Sequence, residues 1–246
     1  MSMLLFNFKT YLSIENSLNI AAELNALKTG NEILIAPQAL SMYPLSKMPR
    51  GKNVSLCAQN FDYAESYGAH TGDVLIQDLK SMGCGYVIIG HSEVRHRKAP
   101  MTGESDALIS KKMRLCLEQG LTPVLCFGEK SEEKGRGETD SVIIRQLRSA
   151  FSEVRSSEAK VVLAYEPVWA ISSTPGTESC SIEHVKKVSE LAKKTLGDKI
   201  KYRFLYGGSV NGENIGGYIS SGFIDGVLVG RAGTEAASLQ KIIDAL

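Results

Sequence analysis

An excess of charge of one sign, paired cysteine motifs and long apolar runs are all missing from these 246 residues. The formal net charge is +1, so there is no broad basic face of the kind that nucleic acid or an anionic membrane requires. The one dense basic run, RHRK at 95–98, reads as a solvated loop. No apolar stretch approaches the length that spans a bilayer. The opening segment MSMLLFNFKT holds only a short apolar run broken by Asn7, with no basic region before it, so no secretory signal is expected. The five cysteines (Cys57, Cys84, Cys116, Cys126, Cys180) are odd in number and form no CxxC. Several lie in apolar runs, which favours buried, reduced thiols in a cytoplasmic protein over a disulfide framework or a zinc site. The four histidines (His70, His91, His96, His184) show no HExxH or similar ligand spacing, so no metal is expected. No GxGxxG follows an apolar run, and no linker-like Pro/Gly/Ser tract divides the chain.

What is present is an alternation. Short apolar runs at 3–8, 32–36, 54–58, 86–90, 122–127, 161–165, 201–206 and 226–230 read as strands. They are nearly continuous in apolar residues, as parallel strands covered on both faces must be. Between them lie amphipathic stretches such as SLNIAAELNALK, SDALISKKMRLCLEQG and SIEHVKKVSELAKKTLGD. The last has Ser181 as its N-cap and Glu183 in its first turn, and ends in lysines before Gly197. Eight units in 246 residues average about 31 each, the size of a βα repeat. With no boundary along 1–246, the expectation is an α/β protein forming one closed (β/α)8 barrel domain rather than an open doubly wound sheet.

In that architecture active sites sit at the C-terminal ends of the strands, so the residues that end the strands matter most. They are Asn7 and Lys9, Gln59 and Asn60, His91 and Glu93, Glu129, Glu166, then Gly207, Gly208 and Ser209, and finally Gly230 and Arg231. Glu166 is the sharpest case. The run VVLAY leads straight into it and Pro167 stops the strand just beyond. A strand-end glutamate is ordinarily a solvated surface residue. A lysine, a histidine and a glutamate converging on one mouth are instead an acid–base set. The glycine-rich ends of the seventh and eighth strands offer backbone N–H groups where barrels commonly hold phosphate. The residues alone therefore point to a barrel enzyme acting on a small phosphorylated substrate. A glycosidase needs two carboxylates flanking the bond, and Glu93 or Glu129 could partner Glu166 in that role.

The segments N-F-K (7–9), A-Q-N (58–60), T-G-D (71–73), G-H-S-E (90–93), G-E-S-D (103–106), C-F-G-E (126–129), A-Y-E-P-V-W-A-I (164–171), Y-G-G-S-V (206–210) and L-V-G (228–230) together resemble the triosephosphate isomerase family, in its order and across the whole chain. The resemblance implies a TIM barrel that interconverts glyceraldehyde 3-phosphate and dihydroxyacetone phosphate in glycolysis and gluconeogenesis, without metal or organic cofactor. It implies Glu166 as the base, His91 as the electrophile and Lys9 as the cation beside the enediolate; the family is itself the reference example of this glutamate–histidine pairing. Asn7 matches a positioning residue. Backbone N–H groups of Ser172, Ser209, Gly230 and Arg231 match the phosphate holders, and Ile171 and Leu228 match apolar residues that cover the base and raise its pKa by desolvation. Residues 169–178 match the lid, whose closure in this family is again the reference example.

Several positions depart from the family pattern. Phe8 stands where tryptophan is usual, and S-S-T-P (172–175) replaces a glycine-rich lid tip, which predicts a smaller range of opening and an altered phosphate contact at Ser172. Arg231 replaces a glycine, with its side chain either outward or on the phosphate. The resemblance implies a homodimer through the loop around Thr71, which with Asn60, Tyr63 and Gly72 still suits that role. Val94 occupies the expected intersubunit arginine position, Asp73 replaces Glu, and 97–101 is lengthened, so its charge network is rebuilt or weakened. The expected partners are a triose phosphate and a second copy, with no nucleic acid or membrane. The alternatives are a paralogue acting on a longer phosphosugar and a barrel kept for binding alone.

Overall fold

A computed structural model describes residues 1–155, 159–171 and 180–246. Eight parallel strands close in chain order: β1 (Met3–Asn7), β2 (Glu32–Ala36), β3 (Val54–Ala58), β4 (Cys84–Ile89), β5 (Thr122–Phe127), β6 (Lys160–Tyr165), β7 (Lys201–Tyr206) and β8 (Gly226–Val229). β1 pairs with both β2 and β8, which closes the (β/α)8 barrel, as the alternating pattern predicts.

Two apolar layers explain why the strands read as unbroken apolar runs. Met3, Leu5, Leu34, Ile88, Val162 and Leu205 belong to a cluster made of strand residues alone, which fills the barrel. Their neighbours in sequence, such as Leu4, Phe6, Ile33, Ile89 and Phe204, join Leu24, Ile109, Leu147 and Val188 of the surrounding helices. Each strand is thus buried on both faces and has no polar side to show.

The helix Ile14–Ala26 starts earlier than the amphipathic pattern suggests, because Ser13 caps it by accepting from Asn16 N–H at 3.1 Å. Ser105 and Ser181 cap Asp106–Glu118 and Ile182–Leu196 in the same way, and Gly197 ends the latter at a φ of 61°. Five strand limits differ from the sequence reading, among them the end of β4 (Ile89) and the start of β6 (Lys160), each by one residue. β1 ends at Asn7, because the chain turns at Lys9. β4 begins at Cys84, where a register shift between Leu56 and Cys57 brings Cys84 opposite Leu56. β8 ends at Val229, so Gly230 lies in the loop. The basic run is also not uniformly solvated: Arg95 is turned inward, donating to the Gly90 and Cys126 carbonyls and to Asp106, while Arg97 and Lys98 are exposed.

All five cysteines are buried free thiols, and no helix among the described residues is long and apolar enough to cross a membrane. Towards the N-terminal end of the barrel, Arg203 donates to Glu32 (2.6 Å) and to Tyr86 Oη, which donates in turn to Glu32 (2.7 Å). That network joins β2, β4 and β7 and leaves the opposite mouth to the site.

Candidate active site

Glu166 is placed by the backbone on both sides of it. Its N–H continues the ladder by donating to Phe127 O at 2.8 Å, and Pro167 then starts a tight turn over Val168–Ala170. Gly128 makes this possible: a Cβ there would lie 2.0 Å from Glu166 O. The residue is 2% exposed. Oε2 accepts from Ser92 N–H at 3.1 Å, and Oε1 lies 3.0 Å from His91 Nε2. Burial pushes the carboxyl pKa up, but His91, the Ser92 N–H and the Lys9 charge outweigh it, and the net direction is down. The desolvation expected to raise it is present, and in this arrangement it loses to the hydrogen bonds.

His91 follows β4 just after Gly90, whose φ of 72° turns the chain out of the strand. It caps the short helix Ser92–Arg95, with Nδ1 accepting from Glu93 N–H at 3.2 Å. An imidazole that accepts through Nδ1 carries its proton on Nε2, so Nε2 is the donor aimed at Glu166.

Lys9 is in the left-handed region at φ 46°, a strained backbone for a residue with a side chain. Two neighbours hold it there. Its N–H donates to Asn7 Oδ1 at 3.0 Å, and its carbonyl accepts from Gln59 Nε2 at 2.8 Å. The ammonium group donates to Glu93 Oε1 at 2.7 Å. Asn7, which is buried, and Gln59, which is half-buried, therefore both hold the Lys9 backbone.

Lys9, His91, Glu166, Ile171, Leu228 and Gly230 line one cavity of about 380 Å³. Ser209 and Arg231 line it too. Ser209 was expected to offer its N–H to phosphate; here both N–H and Oγ donate to Ala170 O at 2.9 Å. The turn after Glu166 is so close to the strand 7 loop that it captures the donor. Arg231 has an exposed side chain whose Nε donates to Glu235 (3.2 Å) and whose guanidinium lies 6.0 Å from the Tyr11 ring centroid. Of its two possible directions it takes the outward one, along the rim. Ser172, with the rest of 172–178, lies outside the described residues.

The remaining strand-end acids are not in the cavity. Glu129 is fully buried beneath the turn and accepts from Trp169 Nε1 (2.8 Å) and from Tyr165 Oη (3.1 Å to each oxygen). Glu93 is paired with Lys9. Neither stands as the second carboxylate that a glycosidase needs. The reading from sequence missed the Ser92 N–H, which no side-chain pattern can signal, and the role of Glu129 as an anchor for Trp169.

A closed (β/α)8 barrel whose C-terminal mouth gathers a buried carboxylate, an imidazole donating through Nε2 and an ammonium group is built for acid–base chemistry on a small molecule. The family model described as Triosephosphate isomerase matches residues 2–246, and the chain belongs to that family. It is 42% identical over 240 residues to the triosephosphate isomerase of Aquifex aeolicus, covering 96% of this chain and 94% of the relative. It is 37% identical over 243 residues to that of Dictyoglomus thermophilum (96% and 94%) and 36% identical over 230 residues to that of Herpetosiphon aurantiacus (91% and 89%).

Proposed function

We propose that this chain is a triose-phosphate isomerase that interconverts D-glyceraldehyde 3-phosphate and dihydroxyacetone phosphate through an enediolate. One observation carries the assignment of roles: Lys9, His91 and Glu166 line the same cavity, with the proton-bearing Nε2 of His91 aimed at the Glu166 carboxylate. A substrate oxygen that takes the place of that carboxylate oxygen receives the Nε2 hydrogen bond. Glu166, so released, removes a proton from the carbon beside the carbonyl and returns it to the former carbonyl carbon, while His91 carries the hydroxyl proton from one enediolate oxygen to the other. Lys9 stabilises the charge that develops on the enediolate oxygens. No step calls for a metal or organic cofactor.

The phosphate falls to the N–H groups of Ser172, Ser209, Gly230 and Arg231. The Gly230 position is supported by its closeness to Lys9: a Cβ there would lie 3.8 Å from Lys9 Cε. Ser209 serves only when Ala170 releases it, so binding is tied to movement of the Val168–Ala170 turn. A longer phosphosugar is the second reading, favoured by the extension of the cavity past Arg231 to Asn211, Glu235 and Ser238. Assay of both triose phosphates and of a four-carbon phosphosugar, beside Glu166→Gln, tests the two together. Fast triose-phosphate turnover lost in the variant supports the first. Faster turnover of the four-carbon sugar overturns it, and no turnover at all leaves a binding barrel.

Residues 1–246 are taken as one domain, because the last strand closes on the first, and the buried free thiols suit a cytoplasmic setting. The expected assembly is a homodimer through the loop around Thr71. Its support is the exposure of Thr71, Gly72 and Asp73 together with large exposed apolar side chains at Leu40, Tyr43, Tyr67 and Met101. Val94 lines a cleft with Asn7, Lys9 and Glu93 but brings no charge to it, while Arg97 lines the same cleft. Sedimentation at micromolar concentration is expected to give a dimer; a monomer there would refute the assembly.

A further inference from the structure

His184 packs beside the turn that follows Glu166, and the chemistry above gives it no role. Its Nε2 lies 3.0 Å from Tyr165 Oη and 3.5 Å from Glu129 Oε1. Tyr165 has a single hydroxyl proton, directed at the Glu129 carboxylate. Its oxygen is then left to accept, so His184 donates through Nε2. The imidazole also stacks on Tyr165, with ring centroids 6.2 Å apart, and meets Trp169 edge-on at 5.6 Å. Across the indole, Lys134 Nζ sits 3.3 Å from the ring centroid.

These contacts form a continuous chain. His184 orients Tyr165 and Glu129, Glu129 holds the Trp169 indole, and Trp169 fixes the Val168–Ala170 turn. Ala170 O at the end of that turn accepts from both Ser209 N–H and Ser209 Oγ. Glu166 lies immediately before the turn, and none of the intervening groups lines the cavity.

We propose that His184 is a positioning residue: by donating to Tyr165 and Glu129 it holds the Trp169 turn in the arrangement that keeps the Ser209 N–H away from phosphate. This rests on the isomerase reading, in which Ser209 serves the phosphate. An arrangement that withholds a donor lowers apparent affinity by the fraction of molecules it occupies. Loosening the clamp therefore raises affinity and leaves the reacting groups alone.

Trp169 is the single tryptophan of the chain, so its emission reports this turn directly. His184→Phe keeps an aromatic ring against Tyr165 and Trp169 but removes the donor; His184→Gln retains an N–H donor near the Nε2 position. In the unaltered protein, titration with inorganic phosphate is expected to shift Trp169 emission. His184→Phe without ligand is expected to be shifted already in the same direction. Its phosphate midpoint and its KM for dihydroxyacetone phosphate should fall about two- to fivefold, with kcat within about twofold. His184→Gln should match the unaltered protein.

A folded His184→Phe with unchanged emission, or with KM unchanged or raised, overturns the proposal, as does a glutamine variant that behaves like phenylalanine. If His184→Phe loses its circular dichroism, Tyr165→Phe removes the relaying hydroxyl instead. The same emission shift is expected from it, and its absence is equally decisive. The phosphate titration needs no turnover, so a protein inactive on triose phosphates would sink the isomerase reading without deciding the role of His184.

Discussion

His91 Nε2 stands 3.0 Å from Glu166 Oε1, and the other oxygen of that carboxylate accepts from Ser92 N–H. The carboxylate proposed as the base is therefore satisfied by the protein itself until a ligand replaces these partners. A base held this way is protected against protonation, because its charged form is the one that the hydrogen bonds favour.

The first consequence concerns the pH dependence of turnover. In the free protein the Glu166 pKa lies below the ordinary carboxylate value of 4.5. The active base is the ionised form, so the acid limb of kcat/KM assigned to it is expected below about pH 4.5. Binding removes the His91 and Ser92 hydrogen bonds and leaves burial as the dominant influence, which acts upward. The acid limb of kcat should therefore lie at higher pH than that of kcat/KM. Rate profiles measured from pH 4 to 8 check this, and a kcat limb at or below the kcat/KM limb would contradict it.

Stability should follow the same carboxylate. A folded-state pKa below the unfolded value contributes stability above the unfolded value and loses it as pH falls through the folded one. Burial raises and hydrogen bonds lower the pKa of Glu129 as well, again with a net downward direction, so both buried acids act in the same sense. Melting temperature is expected to hold between pH 7 and about pH 5 as far as these groups are concerned, and to fall below about pH 4.5. Glu166→Gln removes one of the two and should show a shallower acid slope in thermal melts. An unchanged slope would mean that Glu166 is not held in its ionised form.

Removing the base should cost turnover heavily. Glu166→Gln keeps the size of the side chain and can still accept from Ser92 N–H, so the fold is expected to persist. The loss is then that of a general base, about 10²- to 10⁴-fold in kcat. Steady-state assay of the purified variant measures it. A fall of less than tenfold would place the base elsewhere.

The contrast between Glu129 and Glu166 marks how far the sequence carries the argument. The strands were legible because both faces of each are buried, which writes an unbroken apolar run into every one. Lys9, His91 and Glu166 were legible because a barrel puts its strand ends at one mouth. Glu129 also follows a strand end and so looked equivalent. What separates the two acids is the company each keeps, and for Glu129 that is Trp169 and His184, which only tertiary folding brings beside it. Arg95 was misread with its basic neighbours for the same reason, since its partners Gly90 and Cys126 come from the end of β4 and from β5. Ser209 is subtler still: it lines the cavity, but whether its N–H is available depends on a carbonyl in another loop.

Gly128 offers a steric test of how Glu166 is placed. A Cβ there would meet backbone atoms of Glu166, O at 2.0 Å and C at 2.6 Å, which no rotamer change relieves. Gly128→Ala is therefore expected to destabilise the protein by about 2–4 kcal/mol and to move the base, with kcat/KM reduced more than tenfold. Denaturant unfolding and steady-state assay measure the two effects. Native-like values for both would mean that β5 and β6 adjust more freely than their spacing allows.

Lys9 allows chemistry to be separated from folding. Its ammonium group is ion-paired with Glu93, whose side chain is 48% exposed. A pair open to water on one side contributes no more than about 1 kcal/mol to stability. The backbone at φ 46° is held by Asn7 and Gln59 through main-chain atoms, which Lys9→Met leaves in place. If the cation serves the enediolate, Lys9→Met should keep a melting temperature close to that of the unaltered protein while kcat/KM falls by about 10²- to 10³-fold. If melting temperature and activity instead collapse together, the lysine is a structural strut, and the charge on the intermediate must be met by His91 alone.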